Sequence, residues 1–316
     1  KKQKNLVENQ VEEDLVENNF IMIYSKLYIM IKYKIIKKIG QGSFGVVYLV
    51  KNKNTNKKYA LKRVIYINKK IIKNYKNELN ILQIVNSPYI IKIIDHFFDK
   101  KYFNIVIEYA PYGSLYQYIQ KNKKLNKKIP EQNIHKIILS ITRGLCHLHQ
   151  RGIIHRDIKP SNILICKHHK IKIADFGISK ILSCSNRFNN TIIGTPMYMS
   201  PEMISNAYYS FPIDLWSLGC IFYELLVLTH PFNIKNKNYL YCKIKKGTLS
   251  TYKIPYKYRK IIKGLLHNLP YRRLETKDIF IFFRNIKTIN KPKNLIKKIY
   301  KLPKLNQTDI NPMIFF

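Results

Sequence analysis

The stretch IIHRDIKPSNIL, residues 153–164, sets one aspartate (Asp157), one lysine (Lys159) and one asparagine (Asn162) between runs of isoleucine. The aspartate stands out because acids are scarce. The chain carries 57 Lys+Arg against 18 Asp+Glu over 316 residues, a net charge of +39. Glu8, Glu12, Glu13, Asp14 and Glu17 crowd the N-terminal arm, so each carboxylate placed elsewhere is informative.

Working outward, IADFG brings Asp175, GTPMYMSPE runs from Gly194, and DLWSLG opens at Asp214. Upstream, GQGSFGVV spans Gly40 to Val47, Lys62 lies in YALK, and Glu78 is the only acid between Glu17 and Asp95. The glycine pattern alone fits a dinucleotide-binding turn as well as any other phosphate loop. A dinucleotide turn opens a helix, whereas VVYLV continues as a strand, so the glycines read as a turn between antiparallel strands whose N–H groups cover phosphates. A carboxylate to orient a hydroxyl, a cation for a transferring phosphate and oxygen ligands for Mg²⁺ are the parts that phosphoryl transfer needs. These residue types supply them.

Composition limits the other classes. A hydrophobic content of 46% fits a globular protein. The charge suggests nucleic acid or an anionic membrane as partner, but lysines are spread through strands, helices and loops, so nucleic acid is not indicated beyond net charge. The cysteines at 146, 166, 184, 220 and 242 are odd in number and form no CxxC. Neither a disulfide framework nor a zinc site is expected, which favours a reducing intracellular compartment, cytoplasm or nucleus. The apolar run from Phe20 is broken by Lys26, Lys32 and Lys34, so no membrane span is expected. His147, His149, His168 and His169 have no spaced partner cluster and read as ordinary polar sites.

The periodicity divides the chain. Residues 1–32 form an arm. Tyr33 to Val50 reads as two strands around the glycine turn, and the segment from Lys57 as a third. A helix is expected over Lys69 to Val85, then strands over Ile90 to Phe98 and Tyr102 to Tyr109. Helical spacing begins at Ser114, with a short helix to Gln120, a lysine and asparagine loop, and a long helix opened by Pro130 and Glu131 and running to about Gln150. Further helices are expected near Glu202, over Ile213 to Leu228 and over Tyr256 to Leu269. The fold class is therefore α+β: a small antiparallel β lobe with one main helix, about 33–109, a larger mainly α-helical lobe, about 110–283, and a basic C-terminal tail, 284–316.

Taken together, these motifs resemble the eukaryotic protein kinase superfamily, serine/threonine type, over roughly residues 33–283 and in family order. GTPMYMSPE and YELLVLTHPF are most similar to the NIMA-related branch. The resemblance implies a bilobal kinase fold that transfers the γ-phosphate of ATP to protein Ser/Thr hydroxyls, with ATP and Mg²⁺ as cofactors. Gly40, Gly42 and Gly45 would form the phosphate loop, and Lys62, paired with Glu78, would hold the α- and β-phosphates. Val47, Ala60 and Leu164 would enclose the adenine, with Glu108 and Ala110 as the hinge. Asp157 would be the base, Lys159 would steady the γ-phosphate, Thr195 would orient both, and Asn162 and Asp175 would bind the metal. Arg156 and Lys180 would collect a phosphate at Thr191, added by an upstream kinase or by autophosphorylation. SPE replaces the usual APE, and Glu202 is still expected to pair with Arg273. The competing functions are a catalytically weak kinase-fold scaffold, which would usually lack one of Lys62, Asp157 or Asp175, and a basic nucleic-acid-associated protein.

Overall fold

A computed structural model describes residues 32–42, 45–65, 85–98, 102–175, 196–234 and 236–289. By contact the chain falls into two compact units, and its described residues divide into 32–65 with 92–109, and 85–91 with 110–289. The expected helix over Lys69 to Val85 lies, except for Val85, outside the described residues.

The first unit is a five-stranded antiparallel sheet in the order β1-β2-β3-β5-β4. Its strands are β1 (Tyr33–Gly42), β2 (Gly45–Asn52), β3 (Lys58–Ile65), β4 (Ile93–Phe98) and β5 (Tyr102–Glu108). β-Branched and aromatic residues alternate along them, as a pleated sheet with two different faces requires. One face buries Tyr33, Val50, Leu61 and Val106, with Tyr48, Tyr59 and Phe97 against them. Register places Val47 opposite Lys62, Leu49 opposite Ala60, Lys62 opposite Ile105 and Ala60 opposite Ile107. Directly opposed residues share a face, so Val47, Ala60 and Lys62 all lie on the other one. Gly45 answers to packing as well as to the turn: a Cβ there would meet the Arg63 carbonyl oxygen at 1.8 Å.

The sequence suggested a strand from Ile90, but β4 begins at Ile93. Ile90 instead makes a parallel bridge to Ile173, and the Ile91 amide donates to the Ile173 carbonyl at 2.8 Å, both within the second unit. The run is β-branched throughout, so composition gives no sign of where its pairing partner changes.

In the second unit, α1 (Leu115–Lys124) is opened by a capping box in which Ser114 and Gln117 bond each other's backbone amides. It continues past the expected end at Gln120, because lysine is a good helix former and cations suit a helix C-terminus. The long helix α2 (Glu131–His149) buries Ile134, Ile137, Ile138, Ile141, Leu145 and Leu148 on its inner stripe. Gly144 on that helix leaves room for the Tyr89 carbonyl and the Ile173 side chain, which a Cβ would meet at 3.2 and 2.7 Å. A hairpin of β6 (Ile163–Ile165) and β7 (Ile171–Ile173) follows. Next come α3 (Pro201–Ile204), α4 (Pro212–Val227), α5 (Lys237–Lys246), α6 (Tyr256–Leu265) and α7 (Thr276–Ile289). α4 is buried almost all round and forms the centre of the core, with Trp216 stacked on Phe232 and Phe222 on Phe283. α5 and α7 were not anticipated as separate helices, and α7 continues beyond residue 284, where the tail was expected to start. Among the described residues no helix is long and apolar enough to cross a membrane, and the described cysteines are free thiols.

Candidate active site

The stretch 153–164 is held from beneath by a carboxylate near the start of α4. Asp214, only 1% exposed, accepts from the His155 amide, the Arg156 amide and His149 Nε2, each at 2.9 Å. A buried carboxylate with this many donors is satisfied, and charge-assisted bonds of this kind are the stronger sort. They fix a backbone that is otherwise unfavourable, because Arg156 has φ +67°, in the left-handed region.

His155 ties this loop to the end of β7. Its Nε2 donates to the Ala174 carbonyl at 3.0 Å, and its Nδ1 accepts from the Asp157 amide at 3.3 Å. One donor and one acceptor are what a neutral imidazole offers. Burial keeps it neutral, pulling its pKa below the usual histidine value against the nearby carboxylates of Asp214, Asp157 and Asp175.

Asp157 projects from this scaffold with its side chain 31% exposed. Its Oδ2 accepts from Asn162 Nδ2 at 2.9 Å and lies 3.1 Å from Lys159 Nζ. Asn162 is 3% exposed and its Nδ2 also donates to the Asp157 carbonyl at 2.8 Å, so both amide hydrogens are used and Oδ1 is left as the group suited to a cation. The Ala174 amide donates to the Asn162 carbonyl at 2.8 Å, which brings the neighbouring Asp175 to the same loop with φ +64°. Among the described residues no cluster of three or more His, Cys, Asp or Glu could hold a metal alone. An Asn oxygen and a single carboxylate fit an ion that keeps waters and shares phosphate oxygens, the habit of Mg²⁺.

Leu164, on β6 between buried Ile163 and Ile165, is partly exposed and bridges Ser114. Ala110 accepts from the Gly113 amide at 3.2 Å. In the first unit, Gly40 pairs with Val47 and Gly42 with Gly45, Lys62 and Ala60 share a sheet face with Val47, and the Glu108 amide donates to the Lys92 carbonyl at 3.0 Å. Glu78, Lys180, Thr191 and Thr195 lie outside the described residues.

The expected Glu202–Arg273 pair is present and buried. Arg273 donates to both carboxylate oxygens, at 2.7 and 3.1 Å, and also to the carbonyls of Pro212 and His267. Sequence reasoning missed the parts played by His149, His155 and Asp214. His149 read as an ordinary polar residue because its partner is distant in sequence, at position 214. It also missed Tyr198, whose hydroxyl donates to Glu224 Oε2 at 2.5 Å and whose carbonyl accepts from Ser217 at 2.8 Å.

The chain matches the protein kinase domain family over residues 33–281. Among curated proteins it is similar to serine/threonine-protein kinase Nek3 of Mus musculus, 35% identical over 240 residues, which is 76% of this chain and 46% of that protein. It is 36% identical over 255 residues to serine/threonine-protein kinase Nek8 of Danio rerio, 79% of this chain and 36% of that protein. It is 38% identical over 260 residues to the probable serine/threonine-protein kinase nek3 of Dictyostelium discoideum, 79% of this chain and 23% of that protein. The chain thus spans less than half the length of these relatives, and their names agree with the NIMA-related resemblance read from its motifs. A five-stranded antiparallel sheet, a helical unit built on a buried central helix, an Asp157–Asn162 loop anchored by Asp214 and the family match over 33–281 lead to one assignment: the chain belongs to the protein kinase domain family.

Proposed function

We propose that the chain is a serine/threonine protein kinase that transfers the γ-phosphate of ATP to hydroxyls of protein substrates. The observation that carries this reading is the state of Asp157: a partly exposed carboxylate on a rigid loop, with Lys159 at 3.1 Å and Asn162 locked against it. Such a carboxylate accepts a hydrogen bond from an incoming hydroxyl and takes its proton as the oxygen bonds to phosphorus. Lys159 carries a fixed positive charge to the same place, where transferring phosphoryl oxygens concentrate negative charge.

Mg²⁺ would be held by Asn162 and Asp175 and supplies charge neutralisation on the phosphates. Gly40, Gly42 and Gly45 would cover those phosphates, Lys62 with Glu78 would hold them, and Val47, Ala60, Leu164, Glu108 and Ala110 would receive the adenine. Thr195 would orient Asp157 and Lys159. Arg156 and Lys180 would receive a phosphate at Thr191, ordering that segment by charge-assisted bonds. The arm at 1–32 and the basic tail, which α7 shortens to the residues after Ile289, would flank the catalytic domain.

Asp157→Asn tests the assignment, because it removes the proton acceptor and keeps the shape. Transfer to a protein substrate is expected to fall by at least about a hundredfold, the range of general-base contributions, while ATP affinity changes little. Wild-type turnover by this variant would refute the role given to Asp157.

A further inference from the structure

We infer that the second unit carries a surface for single-stranded nucleic acid, formed by α6, the loop before it and the loop after it. Its exposed tyrosines stack on bases, and the cations beside them neutralise phosphates. The inference does not depend on the phosphoryl-transfer reading, and it adds a partner of a different chemical class.

Charge marks the region first. Between Glu224 and Glu275 the sequence has twelve Lys and Arg residues, six tyrosines and no acid. The acids that reach this region from its borders are engaged: Glu131 with Lys257 and the Tyr258 hydroxyl, Glu202 with Arg273, and Glu275 with Lys277. Positive charge alone describes much of this chain. What sets the region apart is the placement of its aromatic rings.

The tyrosines divide by burial. Tyr258, on the inner face of α6, is 1% exposed and meets the Phe222 ring edge-on. Tyr252, Tyr256 and Tyr271 are 72%, 86% and 77% exposed, so the core gains almost nothing from them. Each nevertheless has a cation over its ring. Lys253 Nζ lies 5.5 Å from the centre of Tyr252, and the guanidinium carbons of Arg259 and Arg272 lie 5.8 Å from those of Tyr256 and Tyr271. A ring has two faces and a cation–π contact uses one. The other is open to a flat partner.

The rings belong to one surface. Arg259 joins the first two: its Nε donates to the Ile254 carbonyl at 3.0 Å and its Nη2 to the Tyr252 carbonyl at 3.4 Å, while its guanidinium covers Tyr256. On α6, Tyr256, Arg259, Lys260 and Lys263 fall within about 100° of one another at the helical period, opposite the buried Tyr258, Ile261, Ile262 and Leu265. At the far end of the helix the Leu274 amide donates to the Gly264 carbonyl at 3.2 Å, and Arg273 Nε donates to the His267 carbonyl at 3.1 Å. The loop bearing Tyr271 and Arg272 therefore closes back on the end of α6. From Tyr256 to Gly264 the helix rises about 12 Å, a strip of cations with exposed rings at both ends. A Cβ at Gly247 would meet the Asn268 Cβ at 3.2 Å, so the end of α5, with exposed Lys245 and Lys246, abuts the same loop.

Exposed rings interleaved with cations suit a single strand, whose unstacked bases offer one π-face for every phosphate. A duplex keeps its bases in the stack, and an acidic peptide brings charge without a flat partner for the rings. An anionic membrane calls for apolar groups that insert, and those of α6 are turned inward.

The test titrates the full chain into labelled oligo(U), oligo(dT), a duplex of the same length and heparin, read by fluorescence anisotropy, with sedimentation of phosphatidylserine vesicles alongside. Tyr252→Ala/Tyr256→Ala should weaken binding of a single strand by at least about fivefold, the low end for one base–aromatic stack, and leave duplex and heparin affinities unchanged. Tyr252→Phe/Tyr256→Phe should bind as wild type, because a phenyl ring stacks as well. Lys260→Glu/Lys263→Glu should weaken strand, duplex and heparin together and flatten the dependence on salt. Ring-dependent binding of either strand upholds the inference, and the tighter of the two identifies RNA or DNA as the source. Unchanged strand affinity in either the alanine or the charge-reversed variant would overturn it. So would an equal loss for heparin in the alanine variant, or ring-dependent binding to vesicles alone.

Discussion

Replacing Asp214 with Asn changes one atom of the buried carboxylate and should damage both stability and transfer. The three donors reach it unequally: the Arg156 amide bonds Oδ1, whereas the His155 amide and His149 Nε2 share Oδ2. An asparagine would keep its oxygen where two donors meet, leaving its NH₂ against the Arg156 amide, donor facing donor. The loss is then one charge-assisted bond, about 1.5–3 kcal/mol, together with a backbone N–H left unsatisfied, about 1–3 kcal/mol. Because the stranded N–H is the donor of the lost bond, the two figures overlap, and even this rotamer, the one that loses least, costs roughly 2–4 kcal/mol. The consequence falls on the residue with φ +67°, whose strained conformation is no longer anchored. Asp157 follows it directly in the chain, so its carboxylate should leave its productive orientation. Urea unfolding should give a midpoint shift equivalent to that 2–4 kcal/mol at unchanged m-value, and kcat should fall more than KM for ATP rises. A variant within about 0.5 kcal/mol of wild type that also turns over normally would refute the anchoring argument.

Arg273→Met should strand a buried carboxylate, since the Arg273 and Glu202 side chains are 0% and 6% exposed. Breaking such a pair costs about 3–5 kcal/mol, a fall in Tm of roughly 6–20 °C by scanning calorimetry, and Glu202→Leu combined with Arg273→Met should recover part of it. Gly45→Ala should disturb the pairing of β2 with β3, because the new Cβ would meet the Arg63 carbonyl at 1.8 Å; the expected signs are lower stability and weaker ATP binding, measured by denaturation and by nucleotide titration. Burial holds His230 neutral, its pKa brought down to about 3, while Nδ1 accepts from the Phe232 amide. The unfolded chain, with the ordinary value near 6.5, binds a proton that the folded chain refuses, so stability is present above about pH 6.5 and is lost as pH falls toward 3. By pH 5 the loss from this group is roughly 2 kcal/mol, and His230→Asn, which keeps an acceptor for Phe232, should flatten the stability-versus-pH curve in urea titrations.

Much of the fold could be read from periodicity, and where it could not the cause is physical. The strands around the glycine turn and the helix from Glu131 were legible because each has one buried face and one wet one. α5 was not, since only Leu240 and Ile244 are buried on it and lysines take half of the remaining positions. α7 was hidden for the opposite reason, IFIFF giving a run of apolar residues with no helical gap. At the site, Asp157, Lys159 and Asn162 stand together in sequence and were found together. The Asp214 anchor joins residues 58 and 59 positions apart to it, and no local pattern carries a pairing of that span. Tyr198 and Glu224 were similarly separated by 26 positions.

The short segment 85–91 belongs by contact to the second unit, yet the chain passes through it before it has made β4 and β5. Two main-chain bonds, from the Ile91 amide to the Ile173 carbonyl and from the Ile173 amide to the Tyr89 carbonyl, each 2.8 Å, stitch it to β7. A knife placed at residue 109 would therefore not separate two whole objects. The piece kept from 110 onward would lack part of its own fabric, with Ile173 stripped of both partners and Gly144 facing a gap. Grafting the sheet of a relative onto this protein needs three seams, near 84, 91 and 109, and a graft made at one seam should yield a second unit that unravels first beside β7.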